Sequence, residues 1–187
     1  MATHPRVLSA DDVFDLPVPG HLIGWEFVDG RPVPVSPASA IHGELIIEVG
    51  RRLANHVHER GLRGKVYSDA GFILGLPRDP ERMRAPDVAW VEGSKVDAHP
   101  DPERLFRCVP DLAIEIDLGS GKKPDGQQRI VDYLEAGVPL VWAIDPHSRT
   151  AVSYRPDGSA RLYRADEILD AGEVVPGFRL PLAELFG

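Results

Sequence analysis

The sequence predicts an α/β fold, a mixed β-sheet flanked by helices with additional β-hairpins at its N- and C-terminal sides. Three observations predict it. Along the chain the apolar period changes in the order helix, three strands, helix, strand. Turn dipeptides, Asp29-Gly30 and Asp157-Gly158, sit inside β-forming runs on either side of that succession. The middle strand-like runs carry a face that is apolar throughout, as in strands covered by helices. A chain of 187 residues suits one domain spanning 1–187, its central elements running from about residue 42 to residue 146.

Each element has its own signal. Ser9 is placed to cap a short helix over ADDVF. The run HLIGWEFVDGRPVPVS reads as a hairpin turning at Asp29-Gly30. From about His42 to Arg60, Leu45, Ile46, Val49, Leu53 and Val57 recur at three and four residues, the period of one buried helical face, and Gly61 is placed as the left-handed stop. VYSDAGFIL, PDVAWVE and PDLAIEIDL read as three strands. A second helix, GQQRIVDYLEAG, stops at Gly137 and Pro139, and LVWAIDP reads as a buried strand. TAVSYRPDGSARLYR forms the second hairpin, and GEVVPGFRLPLAELFG a strand with a short terminal helix.

Composition narrows the classes of function. Hydrophobic residues make up 43% and charged residues 27%, a globular mixture with no apolar run approaching the roughly 20 residues of a membrane span. The opening stretch has neither the basic nor the apolar region of a secretory signal. Cys108 is the one cysteine, which excludes an internal disulfide framework and suits a cytoplasmic location. The net charge of −8, with 29 acids against 21 bases, runs against the basic surface typical of duplex DNA binders. No P-loop, G-x-G-x-x-G or G-x-S-x-G pattern occurs, and His56 and His58 lack cysteine partners at zinc-ligand spacing.

The segment Asp111–Leu118 carries the chemistry. Leu112, Ile114, Ile116 and Leu118 share one strand face, all apolar, while Ala113, Glu115 and Asp117 share the other. Two carboxylates about 7 Å apart on a covered strand repel one another unless a cation offsets them. Asp87, after Pro86 at the start of PDVAWVE, converges with Glu115 if the two strands pair. Mg²⁺ takes oxygen ligands and needs one or two protein carboxylates. The contrary reading is that such acids are solvated or salt-bridged. His42 can touch substrate or pack against the hairpin. Glu44 and Glu48 read as a solvated face, and Trp90, Tyr133 and Trp142 as core.

Taken in order, WEFVDGRPVPVSP, His42-Gly43 opening a helix, APDVAWV, PDLAIEI, DYLEAGVPLVWAIDP and PGFRLPLAELF resemble the Uma-two family, a restriction-endonuclease group within the PD-(D/E)xK nuclease superfamily. The likeness runs from about Val13 to Phe186. It implies a restriction-endonuclease-like core of helix, three strands, helix and strand around a Mg²⁺ site, with Mn²⁺ as a substitute. The PD motif falls on Pro86-Asp87, the second acid on Glu115, and the glutamate of the family's hairpin motif on Glu26. The family's lysine falls four residues before Tyr133, where this chain has Arg129. Two residues after Glu115, where many superfamily members carry lysine, stands Asp117. Lys122 and Lys123 follow in the next loop and can supply an ammonium.

The resemblance therefore implies a Mg²⁺-dependent endonuclease acting on DNA. Asp87 and Glu115 ligate the metal, Glu26 and Asp117 support it, and Arg129 stabilises charge on the scissile phosphate. A homodimer, reaching both strands, is the assembly such folds often use. The Arg129 replacement and the acidic charge point to a second class, a nuclease fold that has lost catalysis and serves as a binding or regulatory module. A two-carboxylate glycosidase is the third class, and no sugar-binding aromatics support it.

Overall fold

In the computed structural model, residues 8–20, 22–116 and 125–187 are described. Ser9 caps helix α1 (Ala10–Phe14) through a reciprocal bond pair with Asp12. Strands β1 (Gly24–Val28) and β2 (Arg31–Val35) form the first hairpin. Its turn residues Asp29 and Gly30 both have positive φ, 49° and 71°, the geometry a two-residue hairpin needs. Helix α2 (Ala40–Glu59) buries His42, Leu45, Val49, Leu53 and Val57 and ends before Gly61, whose φ is 61°.

The run read as one strand over VYSDAGFIL is two. Strand β3 (Gly64–Tyr67) and strand β4 (Phe72–Ile73) belong to different sheets. Asp69 between them has φ 52°, a left-handed turn that no pattern of apolar residues announces. Strand β5 (Met83–Arg84) is too short for a periodic signal, and helix α3 (Gly93–Asp97) follows strand β6 (Val88–Glu92) directly. Strand β7 (Leu112–Ile116), helix α4 (Gly126–Glu135) and strand β8 (Leu140–Asp145) lie where the sequence places them. So do the hairpin of β9 (Thr150–Tyr154) and β10 (Ala160–Arg164), and the closing strand and helix, β12 (Arg179–Pro181) and α5 (Leu182–Phe186). Strand β11 (Ile168–Asp170), pairing with β12, adds an element the sequence reading lacked.

A six-stranded sheet runs in the order β10-β9-β8-β7-β6-β3, parallel only between β7 and β8, and hence mixed. The core succession is α2, β3, β6, β7, α4, β8, the expected helix, three strands, helix, strand. One sheet face packs Leu112, Ile114 and Ile116 against Leu45, Val49 and Leu53 of α2. The other packs Ala89, Val91 and Ala113 against Ile130 and Tyr133 of α4. A four-stranded sheet, β2-β1-β5-β4, stands beside them and puts Phe27 and Met83 against α1. Among the described residues, no helix is long and apolar enough to cross a membrane.

Gly64 marks the tightest approach between strands. Its φ is +152°, and a Cβ there would lie 2.6 Å from the Val91 carbonyl oxygen and 2.8 Å from the Trp90 indole nitrogen. Gly64→Ala is expected to lower the unfolding free energy by about 1–3 kcal/mol in urea denaturation; a midpoint equal to wild type would show that β3 shifts freely.

Candidate active site

The β6–β7 register builds the site. Val88 lies opposite Ile114 and Ala89 opposite Ala113, antiparallel. Asp87, the residue before β6, stands beside the end of β7 that carries Glu115. The Asp87 carboxylate folds onto the neighbouring strand, where its Oδ2 accepts the Ile116 amide at 2.6 Å. Its Oδ1 lies 3.2 Å from His42 Nε2, which the first turn of α2 delivers. Asp87 and His42 are both buried, and Glu115 is fully so.

Arg129 and Tyr133, one turn apart on α4, both donate to Glu115 Oε1 at 2.7 Å. The other arm of Arg129 donates to Glu26 Oε1 at 2.5 Å, and its Nη2 also reaches the Ala85 carbonyl at 2.8 Å. Glu26 lies on the β1 face opposite to Phe27, turned towards α4. Its Oε2 accepts from Arg84 at 2.9 Å and its Oε1 from the Ala85 amide at 3.1 Å. Arg84 continues to Asp125, at 2.5 Å, and to Asp132, at 2.7 and 2.9 Å. Asp132 also receives Arg78, Arg82 and Gln128.

These pairings set the protonation states. Burial alone would raise the Glu26 carboxyl, but the Arg129 and Arg84 guanidiniums and the Ala85 amide hold it below the usual range. Burial likewise opposes the charge on Arg129, and Glu115 and Glu26 more than compensate, so it stays firmly protonated. Burial and the neighbouring Glu115 carboxylate push the Tyr133 hydroxyl well above its ordinary value, which keeps it a donor. Asp125, for which burial is again outweighed by Arg84, is also lowered.

Glu26 and Asp125 therefore bind protons more weakly folded than unfolded. The stability they contribute is fully present above their unfolded values, about 4, and is lost as pH falls through their lowered folded values. Glu26→Gln is expected to flatten the acid limb of Tm against pH. An acid limb as steep as that of wild type would remove Glu26 from that linkage.

The structure brings Asp87, Glu115, Glu26 and Arg129 into one buried region. Asp117, Lys122 and Lys123 lie outside the described residues. Arg129 faces the acids, as its helical spacing predicts, yet its donors go to carboxylates and a carbonyl of the protein. Glu48 is tied to Arg51 and Arg52 on the surface, and Trp90, Tyr133 and Trp142 are buried. Sequence reasoning missed Arg84 and Asp132. The sequence held no signal for Arg84, whose two-residue strand is too short to show a period.

A model of the family described as "Putative restriction endonuclease" matches residues 10–183. The chain belongs to the Uma2 family. No curated protein matches this Uma2 chain. Among solved structures it is similar to a putative nuclease of the DUF820 group from Anabaena variabilis, at 19% identity and TM-score 0.79. That match covers 96% of this chain and 97% of the other, and it shows that the two share a fold.

The family implies a divalent metal, and the donors of this Uma2 chain fit one. Among the described residues, no three His, Cys, Asp or Glu gather as a ready-made metal cage. Asp87 and Glu115 are hard oxygen donors, the ligand type and number a divalent ion of that kind takes from a protein.

Proposed function

We propose that this Uma2 chain is a Mg²⁺-dependent nuclease that hydrolyses phosphodiester bonds in DNA, with Mn²⁺ as a substitute. The observation that carries this reading is the join between Asp87 and the Glu115 strand: Asp87 Oδ2 accepts the amide of Ile116, the residue after Glu115, and both acids are buried. A divalent ion bound there supplies polarisation of a phosphoryl oxygen and a lowered pKa for bound water. Asp87 and Glu115 are its ligands. His42 and the Ile116 amide orient Asp87, while Arg129 and Tyr133 orient Glu115 through Oε1. Glu26 serves as the anchor of two arginines rather than as a ligand, because both its oxygens receive guanidinium hydrogens. Arg129 acts by fixing and neutralising carboxylates, since both its Nη atoms are spent on protein acceptors. Asp117, two residues after Glu115 in sequence, is the further acid that the family likeness assigns to support the ion. A cytoplasmic homodimer in which two sites reach both strands of a duplex completes the reading.

Plasmid cleavage with Mg²⁺ or Mn²⁺ tests it, comparing wild type with Asp87→Ala. Cleavage by wild type alone is expected; equal activity in both, or none in either, ends the proposal.

A second reading rests on Arg129. Its guanidinium already bridges Glu115 and Glu26, so the acid cluster holds a cation of its own without any metal. With the net charge of −8, this favours a nuclease fold kept as a binding or regulatory module. Calorimetric titration separates the two readings: carboxylate-dependent Mg²⁺ binding supports the nuclease, and its absence supports the module.

A further inference from the structure

The buried charges behind the acid pair form an alternating chain. Asp132 Oδ2 accepts Arg84 Nε and Nη2 at 2.9 and 2.7 Å. Arg84 Nη1 donates to Glu26 Oε2 at 2.9 Å, Glu26 Oε1 accepts Arg129 Nη1 at 2.5 Å, and Arg129 Nη2 donates to Glu115 Oε1 at 2.7 Å. No member is more than 5% exposed. The chain crosses from α4 to β5, to β1, back to α4 and on to β7, so it ties the small sheet to the acid pair.

Arg129 depends on these contacts for its orientation. Its Nε is buried without a hydrogen-bond partner among the described residues, so the plane of the guanidinium is set through Nη1 and Nη2 alone. Nη1 is held by Glu26, and Glu26 in turn by Arg84 and the Ala85 amide. We propose that Arg84 is a positioning residue: by holding Glu26 against Arg129, it fixes the direction in which Arg129 presents Nη2 to Glu115. The catalytic meaning of that direction rests on the nuclease reading; the coupling itself does not. A planar fork is required at this position, because one side chain must meet Glu26 and Asp132 from different edges, which the point charge of lysine does not do.

The test reads the ¹⁵N–¹H signals of the two arginine Nε groups in the full chain without metal, each assigned by its loss on substitution by lysine. In Arg84→Lys the Arg129 Nε signal is expected to shift and its solvent exchange to rise by about tenfold, through local opening. Glu26→Gln is expected to do the same, and the double variant to match Glu26→Gln alone, because Arg84 acts through Glu26. An unmoved Arg129 signal in folded Arg84→Lys, or two effects that simply add, overturns the proposal. Should Arg84→Lys not fold, both signals are assigned in wild type by through-bond side-chain correlation, and Glu26→Gln decides: the Arg84 and Arg129 signals must move together, and movement of one alone refutes the link. Mn²⁺ titration of wild type against Asp87→Ala judges the nuclease reading separately, so either idea can fail without the other.

Discussion

Asp132→Ala is expected to lower the unfolding free energy by about 3–5 kcal/mol, because it removes the shared partner of buried cations. For a chain of this length that is a fall in Tm on the order of 10 °C. Asp132 is fully buried on α4. Its Oδ1 accepts Arg78 and Gln128 at 2.8 and 2.9 Å. Its Oδ2 accepts Arg82 at 3.1 Å and the Nε and Nη2 of Arg84 at 2.9 and 2.7 Å. Arg82 keeps Asp79 and Asp29 after the substitution, whereas Arg84 loses two of its hydrogen bonds in a site closed to water. The cost is thus mostly that of an undercompensated buried guanidinium, and Asp132→Asn, which keeps the volume but not the charge, is expected to recover little of it. Glu48→Ala is the contrast. Its ion pairs with Arg51 and Arg52 are at the surface, where such pairs contribute at most about 1 kcal/mol. Urea denaturation of the three variants measures the difference. An Asp132→Ala protein within 1 kcal/mol of wild type, by that assay, would show that the network is not coupled to folding.

That network also shows where sequence reasoning ends. Helix α2 was legible because Leu45, Val49, Leu53 and Val57 repeat at the helical period and all face the sheet. The faces of β7 were legible because a strand alternates, and Leu112, Ile114 and Ile116 do fall in one cluster while Ala113 falls in the other. The meeting of Asp87 with the Glu115 strand needed one further fact, the pairing of β6 with β7, which family likeness supplied and period alone does not. Arg82 and Arg84 were not legible: an Arg-Met-Arg run looks like a solvated surface, and the partner that makes burial tolerable lies about 50 residues away, on α4. A weaker signal did exist there. Gly126, Arg129, Ile130 and Tyr133 follow the i, i+3, i+4, i+7 spacing of a buried stripe, so Arg129 occupies a core position by pattern, and a buried arginine demands buried acids. The break between β3 and β4 escaped because positive φ at Asp69 is paid by local geometry rather than announced by hydrophobicity.

Asp87→Asn is expected to reduce kcat/KM for DNA cleavage by at least about 10³-fold, some 4 kcal/mol of transition-state stabilisation. The substitution is nearly isosteric, so packing against α2 and the β7 end is retained. What changes is charge: an amide oxygen is a weaker ligand than a carboxylate oxygen, and one of only two proposed protein ligands is lost. The hydrogen-bond pattern argues the same way. Asp87 accepts the Ile116 amide through Oδ2 and stands beside His42 through Oδ1, so it is held rigidly for a task that needs direction. Asparagine satisfies one of those sites with oxygen and offers NH₂ at the other, which is tolerable if His42 accepts there. Stability should therefore move by no more than about 1–3 kcal/mol, the cost of one imperfectly met buried polar group, while activity moves far more. Supercoiled plasmid relaxation in Mg²⁺, with Tm on the same samples, reads both quantities. A parallel loss of Tm and activity would mean that Asp87 serves the fold. A large kinetic loss at nearly constant Tm, partly restored by raising Mn²⁺, is what a metal ligand produces, because a weakened site refills by mass action whereas a misfolded one does not.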